Sequence, residues 1–106
     1  MKAIVERLSA EGILCKKFTS IPLKLLGSRK QIDCYLGVDL KGYYCSVWVL
    51  HKRSRFLQKE AHELFALQRR LEQHADSRIR TVYLWHEAPI CSKAEALIDQ
   101  AGWKWV

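Results

Sequence analysis

Residues 31–51 read QIDCYLGVDLKGYYCSVWVLH, two β-rich runs around a glycine turn. The runs cover 31–39 and 43–51, and Leu40-Lys41-Gly42 separates them. Apolar residues alternate along both, and glycine supplies the positive φ that short turns need, so the segment predicts a β-hairpin. Ile32, Cys34, Leu36 and Val38 share one face of the first run. Cys45, Val47 and Val49 share one face of the second, and the two sets are expected to form a core face together. Asp33, Tyr35 and Gly37 then lie against Tyr44, Ser46, Trp48 and Leu50. With a tight turn the paired residue numbers sum to about 81, which sets Asp33 opposite Trp48.

The flanking segments fill in the layers. Ile4 and Leu8 sit four apart, which predicts a helix over 2–11 ended by Gly12. ILCKKF, 13–18, suits a short strand, and Pro22, Gly27 and Ser28 mark a loop over 19–30. After the hairpin, Leu57, Ala61, Leu64, Leu71 and Ala75 form an apolar stripe on a long helix over 56–75. TVYLW, 81–85, reads as a buried strand. Ser92 with Glu95 predicts a capping box opening another helix, with Ala94, Leu97, Ile98 and Ala101 inward and Gly102 as its stop. WKWV closes the chain as a strand. The order α-β-β-β-α-β-α-β predicts a single α/β domain over 1–106, a mixed sheet with flanking helices.

Composition agrees with a globular domain. Hydrophobic residues make up 49% and charged residues 27%, which excludes a disordered chain. No apolar run approaches the roughly 18 residues that span a membrane. The start, MKAIVERLSAEG, lacks the apolar stretch of a signal peptide, so a cytoplasmic protein without membrane contact is expected. Cys15, Cys34, Cys45 and Cys91 are spaced by 19, 11 and 46, which matches no zinc pattern, and free thiols are expected.

The net charge is +7, and residues 1–80 hold 16 of the 18 basic residues but 8 of the 11 acidic ones. Such an excess favours a polyanionic partner, nucleic acid first among them. The densest cluster is HKRSR, 51–55, with Lys59 beyond it. His51, Lys52, Arg53, Arg55 and Lys59 are therefore candidate phosphate contacts, and Arg69 and Arg70 could extend the patch. The same residues would also serve simply to solvate a loop and a helix. Trp48 could stack a base or fill the core.

The block KQIDCYLG, the turn DLKG, the strand YYCSVWVLHKRSR and the helix FLQKEAHELF, in that order, resemble the PD-(D/E)XK nuclease superfamily. The likeness is nearest to its VRR-NUC and Holliday-resolvase-like branches, and it implies a restriction-endonuclease-like fold. It places Asp33 on the family's first acidic position and sets Trp48 and Leu50 where the family has Glu and Lys. Such nucleases hold Mg²⁺ with clustered carboxylates, and the metal activates water and neutralises phosphate. The resemblance therefore implies a DNA-binding domain whose catalytic motif is degenerate, with no cofactor. If it is active, Asp33 is a Mg²⁺ ligand, Glu6, Asp39, Glu60 or Glu63 supplies the missing acid, and His51 or Lys52 replaces the lysine. Asp33 as a partly exposed strand carboxylate paired with a nearby Lys or Arg remains the simpler reading. A homodimer or another protein partner reusing the fold is the remaining alternative.

Overall fold

The computed structural model describes residues 2–10, 12–13, 15–27, 32–51, 55–86 and 89–106, with side chains throughout except at 2–5 and 16. Helix α1 spans Lys2–Ala10. Its end is set by Gly12 at φ 77°. The Gly12 N–H donates to Ser9 O at 3.0 Å and the Ile13 N–H to Leu8 O at 2.8 Å, the paired bonds of a Schellman stop. Strand β1 is Cys15–Ile21, longer at its far end than expected because it pairs with the next strand as far as Ile21↔Cys34. The expected loop is correspondingly shorter and holds a 3₁₀ turn, Leu23–Leu26, with both end leucines buried.

Strands β2, Ile32–Asp39, and β3, Tyr44–Leu50, form the hairpin. The Asp39 N–H donates to Tyr43 O at 2.9 Å, and Asp39 Oδ1 accepts from the N–H groups of Lys41 and Tyr43. Leu40, Lys41 and Gly42 are thus a three-residue turn, with Gly42 at φ 90°. A turn of odd length gives paired numbers with an even sum. Asp33 therefore pairs with Val49, and Cys34 with Trp48. The expected Asp33–Trp48 pairing is off by one residue. Because side chains alternate, that single step moves Trp48 to the face opposite Asp33.

Helix α2 spans Gln58–Ala75, strand β4 Thr81–His86, helix α3 Ser92–Gln100 and strand β5 Lys104–Trp105. The sheet order is β1-β2-β3-β4-β5. The first three strands are antiparallel, and β4 and β5 run parallel to β3. This is the mixed sheet with flanking helices that the element order predicts. Two details differ. Leu57 is not in the α2 stripe: it is the N-cap and 49% exposed. The cap of α3 is Cys91, whose Sγ accepts from the Ala94 N–H at 3.4 Å, so Ser92 is the first helical residue.

The core has two parts. On one face, Cys34, Trp48, Leu50, Val82 and Leu84 meet Ala61, Leu64, Leu67 and Leu71 of α2 and Ala94 and Ile98 of α3. Inside it, buried Gln68 Oε1 accepts from Ser46 Oγ at 2.9 Å and from Trp48 Nε1 at 2.8 Å. These bonds satisfy two polar groups taken out of water and fix α2 against β3. On the other face, Leu8 of α1 covers Tyr35, Val47 and Val49, with Ile13, Phe18, Tyr83 and Trp85 beside them. All four cysteines are free thiols. Among the described residues no helix is long and apolar enough to cross a membrane.

Candidate functional site

The α1 face of the sheet carries Asp33. Its carboxylate meets His51, with Oδ2 2.6 Å from Nε2 and the two side chains 51% and 53% exposed. The partner of Asp33 is thus a histidine and not the expected Lys or Arg, because antiparallel pairing brings His51 beside it. Tyr35, two residues on, shares the face. Burial raises its hydroxyl above the ordinary range, and the Asp33 charge adds to that.

Pairing also fixes what stands next to Asp33. Val49 lies directly across from it, and Val47 is the neighbouring β3 residue on the same face. Both valines are buried. The β3 segment that faces Asp33 therefore offers no oxygen ligand and no amine. Among the described residues, no group of three or more His, Cys, Asp or Glu is placed to hold a metal ion. A hard dication needs about six oxygens, and the donors at this end of the sheet do not fit one.

The other predicted residues divide by position. Trp48 is fully buried and hydrogen-bonded to Gln68, so it is core and is removed from the base-stacking candidates. Glu60 Oε1 accepts from the Leu57 N–H at 3.2 Å; it caps α2, on the face away from Asp33, which removes it as the relocated acid. Glu63 belongs to the same helix. Asp39 ties down the turn, six residues along β2 and roughly 20 Å from Asp33 at strand rise. Glu6 is exposed on α1, two residues from buried Leu8 and so on the side of that helix turned away from the sheet.

Of the basic candidates, His51 is exposed just past the end of β3, and Arg55 is exposed beside Phe56, which is buried on the α2 face. Lys52 and Arg53 lie outside the described residues. Lys59 is exposed in the first turn of α2. Arg69 and Arg70 are exposed some ten residues further along the helix, roughly 15 Å at helical rise, so they do not join His51 and Arg55 in one cluster. Arg70 Nη1 donates to Leu26 O at 3.0 Å and holds the 3₁₀ turn. Sequence reasoning missed Trp85. It pairs with Val49 in the parallel ladder and is half-buried on the Asp33 face. Its signal was the alternation in TVYLW, which read there as a strand buried on both sides.

No family model matches the chain, and no curated protein matches it. Solved structures do. Over 98% of its length the chain superposes on EndoMS in its apo form, with a TM-score of 0.59 and 16% identity, covering 44% of that chain. EndoMS in complex with double-stranded DNA matches over 96%, with a TM-score of 0.54, 17% identity and 41% of that chain. A repair endonuclease from Pyrococcus abyssi matches over 99%, with a TM-score of 0.55, 14% identity and 45% of that chain. The chain thus spans less than half the length of these structures. At such identities the likeness shows the fold, which is the restriction-endonuclease-like α/β fold.

Proposed function

We propose that this domain binds DNA and does not cleave it. The observation that carries the second half is the pair of buried valines, Val47 and Val49, on the Asp33 face of β3. Phosphodiester hydrolysis through a metal needs a cation at the phosphate and a group to orient water. Asp33 alone supplies one carboxylate, already paired with His51. Within the nuclease-like fold, the VRR-NUC and Holliday-resolvase-like branches remain the nearest sequence likeness, with the acid and lysine positions of β3 moved to Val47 and Val49, or to Val49 and His51, by the observed register.

DNA binding is supported by the net charge of +7 and the basic run at 51–55, which opens with His51 beside Asp33. It is also supported by a structural neighbour solved with double-stranded DNA. The protein-partner reading gains nothing from Trp48 and Trp103, which are buried.

The test is a fluorescence-anisotropy titration with labelled DNA across a salt series. Binding should weaken steeply with salt, because Lys and Arg on phosphates release counterions. Arg53→Ala with Arg55→Ala should flatten the slope by up to about 1 per lost phosphate contact. No binding at low salt would refute the proposal.

A further inference from the structure

Cys15 and Cys45 stand on β1 and β3 with β2 between them, yet their Sγ atoms are 3.5 Å apart. Gly37 is what lets them meet. It pairs with Cys45 in the β2–β3 ladder. A Cβ at Gly37 would come within 3.2 Å of the Cys45 Sγ and 2.9 Å of the Lys17 O. Without that side chain, Cys45 reaches over β2 toward the edge strand. Cys45 is 2% exposed, whereas Cys15 is half-buried. Both line a cavity of about 350 Å³ whose wall also carries Lys41, Arg80 and Tyr83. The Arg80 guanidinium is steadied 4.2 Å from the centroid of the Tyr43 ring.

We infer that Cys15 and Cys45 are a reversible oxidation site, at which hydrogen peroxide converts the two thiols into a disulfide that fastens β1 to β3. The inference is independent of the DNA-binding reading. The two sulfurs have different parts. Susceptibility to peroxide follows exposure, and Cys15 is the more exposed of the pair. Its sulfur attacks the peroxide, the O–O bond breaks, and Cys15 becomes a sulfenic acid as water leaves. Lys41, Arg80 and Tyr83 offer donors to the departing oxygen. Tyr83 keeps its proton for this, since burial, then the Cys45 and Cys15 sulfurs, raise its hydroxyl above the ordinary range. Burial first, then Cys15, pushes the Cys45 thiol up to about 12, so it does not meet the oxidant itself but waits in contact with Cys15. The Cys45 sulfur then attacks the Cys15 sulfur, the S–O bond breaks, and the hydroxyl leaves with the Cys45 proton as water. Two thiols thus give two electrons to one peroxide. Closing the sulfurs from 3.5 Å to a bond of about 2.05 Å asks for a movement of roughly 1.5 Å. Strand β1 can supply it, because it is the edge of the sheet and its register already shifts between Cys15 and Lys17. Cys34 lies on the opposite face and Cys91 caps α3, so neither shares this cavity.

The experiment treats the reduced full chain with hydrogen peroxide and maps its peptides without reduction, beside Cys15→Ser, Cys45→Ala and Cys91→Ser. The natural sequence and Cys91→Ser should each lose two hydrogens in intact mass, yield a peptide pair joining Cys15 to Cys45, and recover both thiols in dithiothreitol. Cys45→Ala should instead hold a sulfenic acid on Cys15 that dimedone traps. The linked protein should melt roughly 5 °C or more above the reduced one, because the bond joins residues 30 apart, and Cys15→Ser should show no such rise. Should Cys45→Ala fail to fold, the peptide map of the natural sequence decides. Thiols that stay reduced, oxidation of Cys91 ahead of Cys15, a Cys15 that proceeds to sulfinic acid unlinked, or a linked protein that melts no higher would each overturn the inference.

Discussion

The two faces of the sheet are built from the same strands and do different things. One is sealed by α2 and α3, with Trp48, Leu64, Leu71, Leu84 and Ile98 withdrawn from solvent. Of its buried polar groups among the described residues, Gln68 Oε1 is matched to Ser46 and Trp48, and Gln68 Nε2 has no partner. The other is covered by short α1 and leaves Asp33, His51 and Trp85 in contact with water. The first face carries the larger core, and the second a smaller one whose edge is left to polar side chains. The difference also explains why Trp48 and Trp85, on neighbouring strands, have opposite fates.

The sharpest way to break this contrast is to cut a leucine from each face. Leu64→Ala, beneath α2, should cost about 4 kcal/mol, since the surrounding helices cannot collapse into the void. Leu8→Ala, beneath α1, should cost about 2 kcal/mol, because a nine-residue helix can settle inward. Urea unfolding of both variants measures this, and equal costs would erase the distinction.

An effect of similar size should appear in alkali. Burial pushes the Cys34 thiol from 9.0 up to about 12, on the sealed face. Burial first, then the Cys15 thiol 3.5 Å away, pushes Cys45 up to about 12 on the other. The folded state therefore keeps protons that the unfolded chain releases. The contribution is fully present below pH 9 and is lost as pH rises from 9 toward 12, by on the order of 1 kcal/mol per pH unit for each thiol. Urea midpoints measured from pH 8 to 11 should fall, and Cys34→Ala should make the fall shallower. A flat profile would mean that these sulfurs are not desolvated.

The smallest effect is expected at the exposed pair. Asp33→Ala should change stability by less than about 1 kcal/mol, since both partners are half in water. A thermal melt decides it. A loss of several kcal/mol would make Asp33 part of the scaffold rather than of a site.

Most of the architecture was legible because its signals are local. The hairpin runs, the 3.6-residue stripe of α2 and the glycines at 12, 42 and 102 each announce an element. The site was less legible because it depends on register. Reading Leu40-Lys41-Gly42 as the turn was correct, but taking an odd sum for a three-residue turn displaced Trp48 onto the Asp33 face. The His51–Asp33 bond and the Asp33–Val49–Trp85 row follow from the corrected pairing. No local pattern marks them, since they join residues 16 to 52 positions apart in the chain. The role of Glu60 was hidden for another reason. A glutamate three residues after an N-cap satisfies a backbone donor, and Leu57 gave no sign of being the cap.

The central claim is that the Asp33 face binds DNA without hydrolysing it. Its most direct test is incubation of branched, single-stranded and duplex DNA with the natural sequence and with Asp33→Ala, in Mg²⁺ and in Mn²⁺, with binding measured on the same samples. The account predicts bound, intact DNA for both proteins with either ion. Robust cutting by the natural sequence that disappears in Asp33→Ala would contradict it and would mean that a second acid joins Asp33.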